Sequence, residues 1–130
     1  MRVLAYTRSI DQVPVPVKPY AREGVEPREI IPQLLSKQVQ IVVSTLSLTA
    51  RLWCTGEGVP KDHFDVLCVD EAGHATEPEV IGVAATMMKF QGKNPGQLIL
   101  AGDPQQLGPI ITSDLCKKFG MDVSYMERLV

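Results

Sequence analysis

The sequence predicts an α/β fold with a mainly parallel sheet flanked by helices, and two kinds of observation support that prediction. Three short segments are almost entirely apolar, as expected of strands covered on both faces: Val39–Val43, Val66–Val69 and Leu98–Ala101. Segments with helical periodicity lie between them, so that strands and helices alternate along the chain. Such alternation is typical of parallel strands joined by helical crossovers.

Three helices are expected between and before these strands. Glu29–Gln38 carries apolar pairs four residues apart, although Pro32 requires this helix to be short or kinked. Leu48–Trp53 predicts a second helix. A third begins after Thr76, because Glu79 completes a capping box and apolar residues follow at helical spacing: Val80, Val83, Ala84, Met87 and Met88.

The remaining segments give weaker predictions. Val3–Tyr6 is a short apolar run that favours a strand, and Pro14–Pro19 favours an extended, polyproline-like segment. Gly56–Asp62 and Gln91–Gln97 have the composition of turns and loops. Ser124–Glu127 has capping-box spacing and predicts one more helix at the end of the chain.

Composition narrows the class of protein. The 130 residues fit one domain or part of one, and 45% apolar with 22% charged residues predicts a packed core. The net charge of −2 gives no general positive field for nucleic acid, but does not exclude a local groove. The sequence has neither a signal-peptide core nor a run approaching a membrane span, and its three cysteines are scattered. We therefore expect reduced thiols and a cytoplasmic location.

A pair of carboxylates follows the central apolar segment. Asp70 and Glu71 come directly after Val66–Val69, at the end of a predicted strand, where parallel sheets bind ligands. This is the Walker B arrangement, in which the first acid holds Mg²⁺ and the second orients and deprotonates the attacking water. Taken alone, the pattern is weak, because many apolar strands end in acidic residues.

The loop after the last predicted strand strengthens the interpretation. The stretch "LAGDPQQLGP", Leu100–Pro109, places Gly102 and Asp103 at a sharp turn and two glutamines just beyond it. A neutral amide from Gln106 at the same sheet edge could touch a γ-phosphate or the attacking water without competing for the metal. The alternative is a tight turn stabilised by a hydrogen-bonding glutamine.

These residues also carry a resemblance to a known family. "VDEAGHATEPE" followed by "LILAGDPQQLGPII" resembles motifs II and III of superfamily 1B helicases. The DEAG variant, the following "EPE" and the "GDPxQLGP" loop resemble the Armitage, or Mov-ten-like, branch of RNA helicases, which is related to the nonsense-mediated-decay helicase. The similarity extends over roughly residues 37–130 and, more weakly, over "RVLAYTRS".

The resemblance implies a partial RecA-like (P-loop NTPase) domain from an ATP-dependent RNA helicase. Residues 1–130 would be the C-terminal part of motor domain 1. The phosphate-binding pattern G-x-x-x-x-G-K-[ST] does not occur, so the phosphate-loop half and the second motor domain would lie elsewhere in a longer protein. As an isolated chain it is expected to be inactive.

The resemblance also assigns roles to residues at the nucleotide. Asp70 would hold Mg²⁺ and contribute to ATP binding, and Glu71 would be the catalytic base. Gln106 would contact the γ-phosphate, while Gly102 and Asp103 shape its loop.

Partners follow from the same resemblance. Ser44 and Thr45, after Val39–Val43, match the position where the family's first domain touches the RNA backbone, although a helix cap is the common role of such residues. The implied partners are single-stranded RNA and proteins of ribonucleoprotein or silencing complexes, with no membrane. Two alternatives stay open: a superfamily 1B DNA helicase, and a catalytically silent RecA-like remnant that acts only in interactions.

Overall fold

The computed structural model describes residues 1–4, 8–23, 26–36, 38–53, 60 and 63–130. These residues form two compact units, Met1–Val59 and Pro60–Val130, which are described in turn. Each unit contains a pair of parallel strands and at least two helices, which confirms the predicted α/β class. Cys54, most of the predicted turn at Gly56–Asp62 and the second half of the predicted strand Val3–Tyr6 lie outside the described residues.

The first unit is built around a two-stranded sheet. Strand β1, Arg2–Val3, pairs in parallel with β2, Ala21–Arg22. Helix α1, Pro27–Leu34, and helix α2, Leu46–Trp53, follow. The buried apolar side chains of this unit come from these four elements and from the segment between β1 and β2: Val3, Leu4, Val13, Ala21, Ile30, Ile31, Leu34, Leu48 and Leu52.

The proline-rich segment of this unit differs from the prediction. We expected Pro14–Pro19 to be extended, but Val15–Tyr20 forms a 3-10 helix, preceded by a shorter one at Ile10–Gln12. The φ angle that the proline ring imposes suits a 3-10 helix. The required N–H groups come from other residues, since Val17 and Lys18 both donate to the Pro14 carbonyl, at 2.8 and 3.2 Å.

The predicted buried strand at Val39–Val43 is also wrong. Val43 forms an isolated parallel bridge with Arg2, and the side chains of Ile41 and Val43 are 73% and 55% exposed. The backbone hydrogen bonds of Val43 are made with the first residues of the chain. Val3 N donates to Val43 O at 2.8 Å, and Val43 N donates to Met1 O at 2.9 Å. Apolar composition favoured a strand, but it could not indicate how many neighbours the segment would have.

The second unit is a strand–helix–strand arrangement followed by two short helices. Strand β3, Val66–Val69, pairs in parallel with β4, Gln97–Leu100, and helix α3, Glu77–Met87, connects them. A 3-10 turn at Ala72–His74 precedes α3. Helices α4 and α5 span Asp114–Lys118 and Tyr125–Leu129.

Helix α3 supplies the largest group of buried apolar side chains in this unit. The predicted capping box is present: the Thr76 side chain accepts from the backbone of Glu79, and Glu79 Oε2 accepts from Thr76 N at 3.0 Å. The predicted apolar positions of this helix and its C-cap are buried: Val80, Val83, Ala84, Met87 and Met88.

The strands of the second unit are less buried than predicted. Val69 is 5% exposed, whereas Val66 and Ile99 are 48% and 46% exposed. The sheet has two strands in the described part of the chain, so each strand has one unpaired edge and less cover than an internal strand of a larger sheet. Among the described helices, none is long and apolar enough to span a membrane.

Candidate functional site

The carboxyl ends of β3 and β4 lie side by side. The register places Val69 opposite Leu100, so that Asp70 and Ala101 leave the sheet at the same edge. Ala101 N donates to Val69 O at 2.9 Å, and Ala72 N donates in turn to Ala101 O at 2.8 Å. The hydrogen bonding thus continues past the strands into the two loops that carry the predicted site residues.

Two glycines allow these loops to come into backbone contact. Gly102 has a φ of +154°, and a Cβ atom there would lie 3.0 Å from Ala72 N and 3.3 Å from Gly73 N. A Cβ atom on Gly73 would lie 3.1 Å from Asp103 O. Since real Cβ atoms rarely approach so closely, both positions require glycine unless the backbone moves.

The two carboxylates of the predicted site face solvent. Asp70 Oδ1 accepts a hydrogen bond from Glu71 N at 3.1 Å. The Glu71 side chain is 65% exposed, and its Oε2 lies 3.9 Å from His74 Nε2. Neither carboxylate is buried in a salt bridge, so both are accessible to a cation or to water.

Glu71 has an unusual backbone conformation. Its φ of 54° and ψ of 41° lie in the left-handed region, and it is the one non-glycine residue with a positive φ among the described residues. For a residue with a Cβ atom this conformation costs about 1 kcal/mol or more, and it persists when neighbouring contacts fix it. Strain of this kind occurs preferentially at functional sites. The left-handed conformation of Glu71 was not predicted from the sequence.

Gln106 lies in a turn that Asp103 organises. Asp103 Oδ1 accepts from Gln105 N at 2.9 Å, and Asp103 O accepts from Gln106 N at 3.2 Å. The side-chain nitrogen of Gln106 is 3.5 Å from Asp103 Oδ2, at the limit for a hydrogen bond. The Gln106 amide is therefore exposed and weakly held, in the loop that contacts the Ala72 backbone.

The far end of the same loop has a second close contact that we did not predict. A Cβ atom on Gly108 would lie 2.8 Å from Asp122 O, which is closer than real Cβ atoms come. The loop thus lies close against the turn after β3 at Gly102 and against the segment before α5 at Gly108. The "LGP" sequence signals a turn, but the partner of this glycine could not be read from it.

Ser44 and Thr45 belong to the first unit. Thr45 Oγ1 accepts from Leu48 N at 3.3 Å and Thr45 O from Thr49 N at 2.9 Å, so Thr45 caps helix α2. Ser44 Oγ lies 2.6 Å from Thr49 Oγ1. Both hydroxyls thus have roles within the helix start, and their contact with RNA stays a prediction.

The donor chemistry at the edge of β3 fits magnesium. Mg²⁺ prefers carboxylate oxygens and keeps most of its waters, so one exposed carboxylate such as that of Asp70 is a sufficient protein ligand. Among the described residues, no group of three or more His, Cys, Asp or Glu side chains is placed to hold a metal ion.

Comparisons with known proteins agree with this architecture. Residues 17–114 match the family model of the AAA domain. The chain is 37% identical to the RNA helicase Mov10l1 of Homo sapiens over 130 residues. The aligned region covers 100% of the chain and 10% of that protein. The MOV-10 protein of Gallus gallus is 36% identical over 135 residues, 99% of the chain and 14% of that protein. The armi protein of Drosophila melanogaster is 42% identical over 73 residues, 56% of the chain and 6% of that protein.

Parallel strands, a helical crossover and acids at a strand end are consistent with a partial RecA-like domain of the P-loop class, which the match to the AAA domain model supports. The chain belongs to the AAA domain family and, within it, to the Mov10-like helicases of superfamily 1. It spans 6% to 14% of the length of these three relatives.

Proposed function

We propose that this chain contributes the metal-binding and water-activating part of the ATP site of an RNA helicase. In this proposal residues 1–130 are the C-terminal part of the first RecA-like motor domain. The observation that supports it most strongly is the contact between the loops after β3 and β4, where Ala72 N donates to Ala101 O at 2.8 Å. That contact brings the segment of Asp70 and Glu71 next to the loop of Gln106.

Each predicted residue has a task that suits its chemistry. Asp70 holds hydrated Mg²⁺, which neutralises charge on the β- and γ-phosphates when it is bound with ATP. The Glu71 carboxylate orients the attacking water and accepts its proton. The exposed Gln106 amide donates to a γ-phosphate oxygen. Gly102 and Asp103 fix the turn that presents this amide.

The proposal requires further groups from a longer protein. The sequence has no G-x-x-x-x-G-K-[ST] loop to cradle the phosphates, and a motor of this class closes on ATP with a second domain. The much greater length of the relatives is consistent with such groups lying elsewhere. ATP hydrolysis and RNA translocation are therefore proposed for the longer protein.

RNA is the preferred polymer in this proposal. The human relative carries the name RNA helicase, and Ser44 and Thr45 follow the segment that the resemblance places near the RNA backbone. Hydroxyl and backbone N–H groups suit contacts to phosphates that do not read sequence. We propose proteins of ribonucleoprotein or silencing complexes as partners and the cytoplasm as the location.

A single isosteric substitution tests the catalytic role. In a full-length protein that carries this chain, Glu71→Gln should lower RNA-stimulated ATP turnover by about 10²- to 10⁴-fold, the usual contribution of a general base. Binding of ATP and RNA should change little, because the amide keeps the shape of the side chain. Steady-state turnover and equilibrium binding of a fluorescent ATP analogue measure the two effects.

The matched control is Glu26→Gln, another exposed glutamate, whose side chain makes no capping hydrogen bond to the start of α1. It should leave turnover unchanged. Turnover by Glu71→Gln at the wild-type rate would remove Glu71 as the base. Stimulation by single-stranded DNA but not by RNA would favour the DNA helicase, and no turnover by the wild-type protein would favour the silent remnant.

A further inference from the structure

The strained backbone of Glu71 needs contacts that hold it in place. Its side chain is 65% exposed, so those contacts act on its own backbone and on the residues beside it. On the preceding side, Glu71 N donates to Asp70 Oδ1 at 3.1 Å. Ala72 is fully buried and donates to Ala101 O, and His74 N donates to Glu71 O at 2.9 Å. The 3-10 turn Ala72–His74 is therefore the immediate support of the Glu71 conformation.

The same turn lies against helix α5. Helix α5 begins beside helix α3, because their N-cap residues, Ser124 and Thr76, form an antiparallel bridge. Ser124 is 1% exposed and its Oγ accepts from Glu127 N at 3.0 Å. The start of α5 is thus buried against the segment that joins the 3-10 turn to α3.

An ion pair links the other end of α5 to the start of α3. The guanidinium group of Arg128 donates two hydrogen bonds to the carboxylate of Glu77, one of them from Nε to Oε2 at 2.7 Å. Glu77 is the first residue of α3, just after Thr76. The Tyr125 ring lies 5.4 Å from the Arg128 guanidinium carbon and restricts it further. The two-bond geometry fixes direction as well as distance.

We propose that Arg128 is a positioning residue for Glu71: its pair with Glu77 holds α5 against the Ala72–His74 turn and so keeps Glu71 in the left-handed conformation. The inference rests on the proposed role of Glu71 as the catalytic base. Arg128 and Glu77 do not touch the substrate in this account. Since their side chains are 54% and 38% exposed, the pair contributes modestly, and its loss should have a local effect of about two- to fivefold.

The first test is hydrogen exchange, which needs no catalytic activity. In a full-length protein that carries this chain, Arg128→Gln and Glu77→Gln should each speed amide exchange in residues 71–76 by about two- to fivefold. Exchange in residues 97–100 should not change. The matched control, Lys118→Gln, removes an equal charge from α4 and should leave both segments at their wild-type rates. Unchanged exchange in residues 71–76, or an equal increase in both segments, would overturn the proposal.

The second test is kinetic and separates positioning from general stability. Each single variant should lower the kcat for ATP turnover by about two- to fivefold while the KM for ATP stays the same, and Arg128→Lys should fall between wild type and Arg128→Gln. The double variant should lose no more than either single one, since both remove the same interaction. Wild-type kcat in the single variants, or losses that multiply in the double variant, would contradict it.

The two proposals fail in different ways. If Glu71→Gln turns over ATP normally, the proposed base is wrong, yet the exchange measurement still decides whether the Arg128–Glu77 pair holds the 71–76 segment. If Glu71→Gln is inactive while the Arg128 and Glu77 variants exchange and turn over as wild type, the positioning role alone is wrong.

Discussion

Glu71 combines a left-handed backbone with a carboxylate that faces solvent. The conformation, at φ 54° and ψ 41°, lowers the stability of the folded chain, and no buried contact of the side chain offsets that cost. The loss of stability has a functional reason if the left-handed conformation holds the Glu71 carboxylate at a defined position beside Asp70. Stability and activity should therefore change in opposite directions when glycine, which relieves the strain, replaces this residue.

Glu71→Gly tests that trade at the level of one residue. Glycine adopts the left-handed region without strain, so the free energy of unfolding should rise by about 1 kcal/mol while ATP turnover is lost. Asp70→Gly is the control, because Asp70 has a negative φ and gains nothing from glycine; its free energy of unfolding should fall by about 0.5–1 kcal/mol. Denaturant titration of both variants measures the difference, and a less stable Glu71→Gly variant would contradict the strain argument.

At the level of secondary structure, the sequence predicted elements with local signals better than those with distant partners. The Thr76–Glu79 capping box and the apolar face of α3 were predicted correctly, because their determinants lie within a few residues. The strand at Val39–Val43 and the full burial of β3 were not, because neighbouring strands decide those properties. The extended segment predicted at Pro14–Pro19 was wrong because a 3-10 helix and an extended segment both accept the φ angle of proline.

The candidate site likewise has features that local sequence patterns predicted and features that they did not. The resemblance singled out Asp70, Glu71 and Gln106, whose roles stay predictions. That the ends of the two strands lie at the same sheet edge was predicted correctly, whereas the register of β3 with β4 was not predicted. The contact of Gly108 with the Asp122 carbonyl and the pairing of Arg128 with Glu77 join residues far apart in the chain. No local pattern predicts such contacts.

Two glycine substitutions test the loop contacts. Gly108→Ala places a methyl group 2.8 Å from a backbone oxygen and should lower the free energy of unfolding by roughly 1–3 kcal/mol. Gly82→Ala is the matched control: it lies in α3 with open space around its Cβ position, and should raise the free energy of unfolding by about 0.5–1 kcal/mol. Equal effects in thermal or denaturant unfolding would show that the contact at Gly108 does not constrain the loop.

At the level of the whole molecule, the proposed function makes the chain a part of an ATP site, and its sequence lacks the phosphate-binding pattern G-x-x-x-x-G-K-[ST]. In the proposed site, Asp70, Glu71 and Gln106 would contact the metal, the attacking water and one end of the nucleotide. A phosphate-binding loop of the G-x-x-x-x-G-K-[ST] type would supply the backbone N–H groups that bind the phosphates. Affinity and catalysis should therefore belong to different segments of the longer protein.

The isolated 130-residue chain should accordingly bind Mg²⁺ and ATP weakly. A titration with a fluorescent ATP analogue in the presence of Mg²⁺ should give a dissociation constant on the order of 1 mM or weaker, as expected for a few polar contacts without a cradle. A full-length protein that carries the same chain serves as the control and should bind much more tightly. Micromolar affinity of the isolated chain for the ATP analogue would contradict the assignment of affinity and catalysis to different segments.

The most direct measurement is a crystal structure of a full-length protein carrying this chain, with Mg²⁺ and a non-hydrolysable ATP analogue bound. We expect Asp70 to reach the metal directly or through one water and Glu71 to contact the attacking water. The Gln106 amide should lie within hydrogen-bonding distance of a γ-phosphate oxygen. A nucleotide bound elsewhere, or a Gln106 side chain directed away from Asp70 and Glu71, would contradict this expectation.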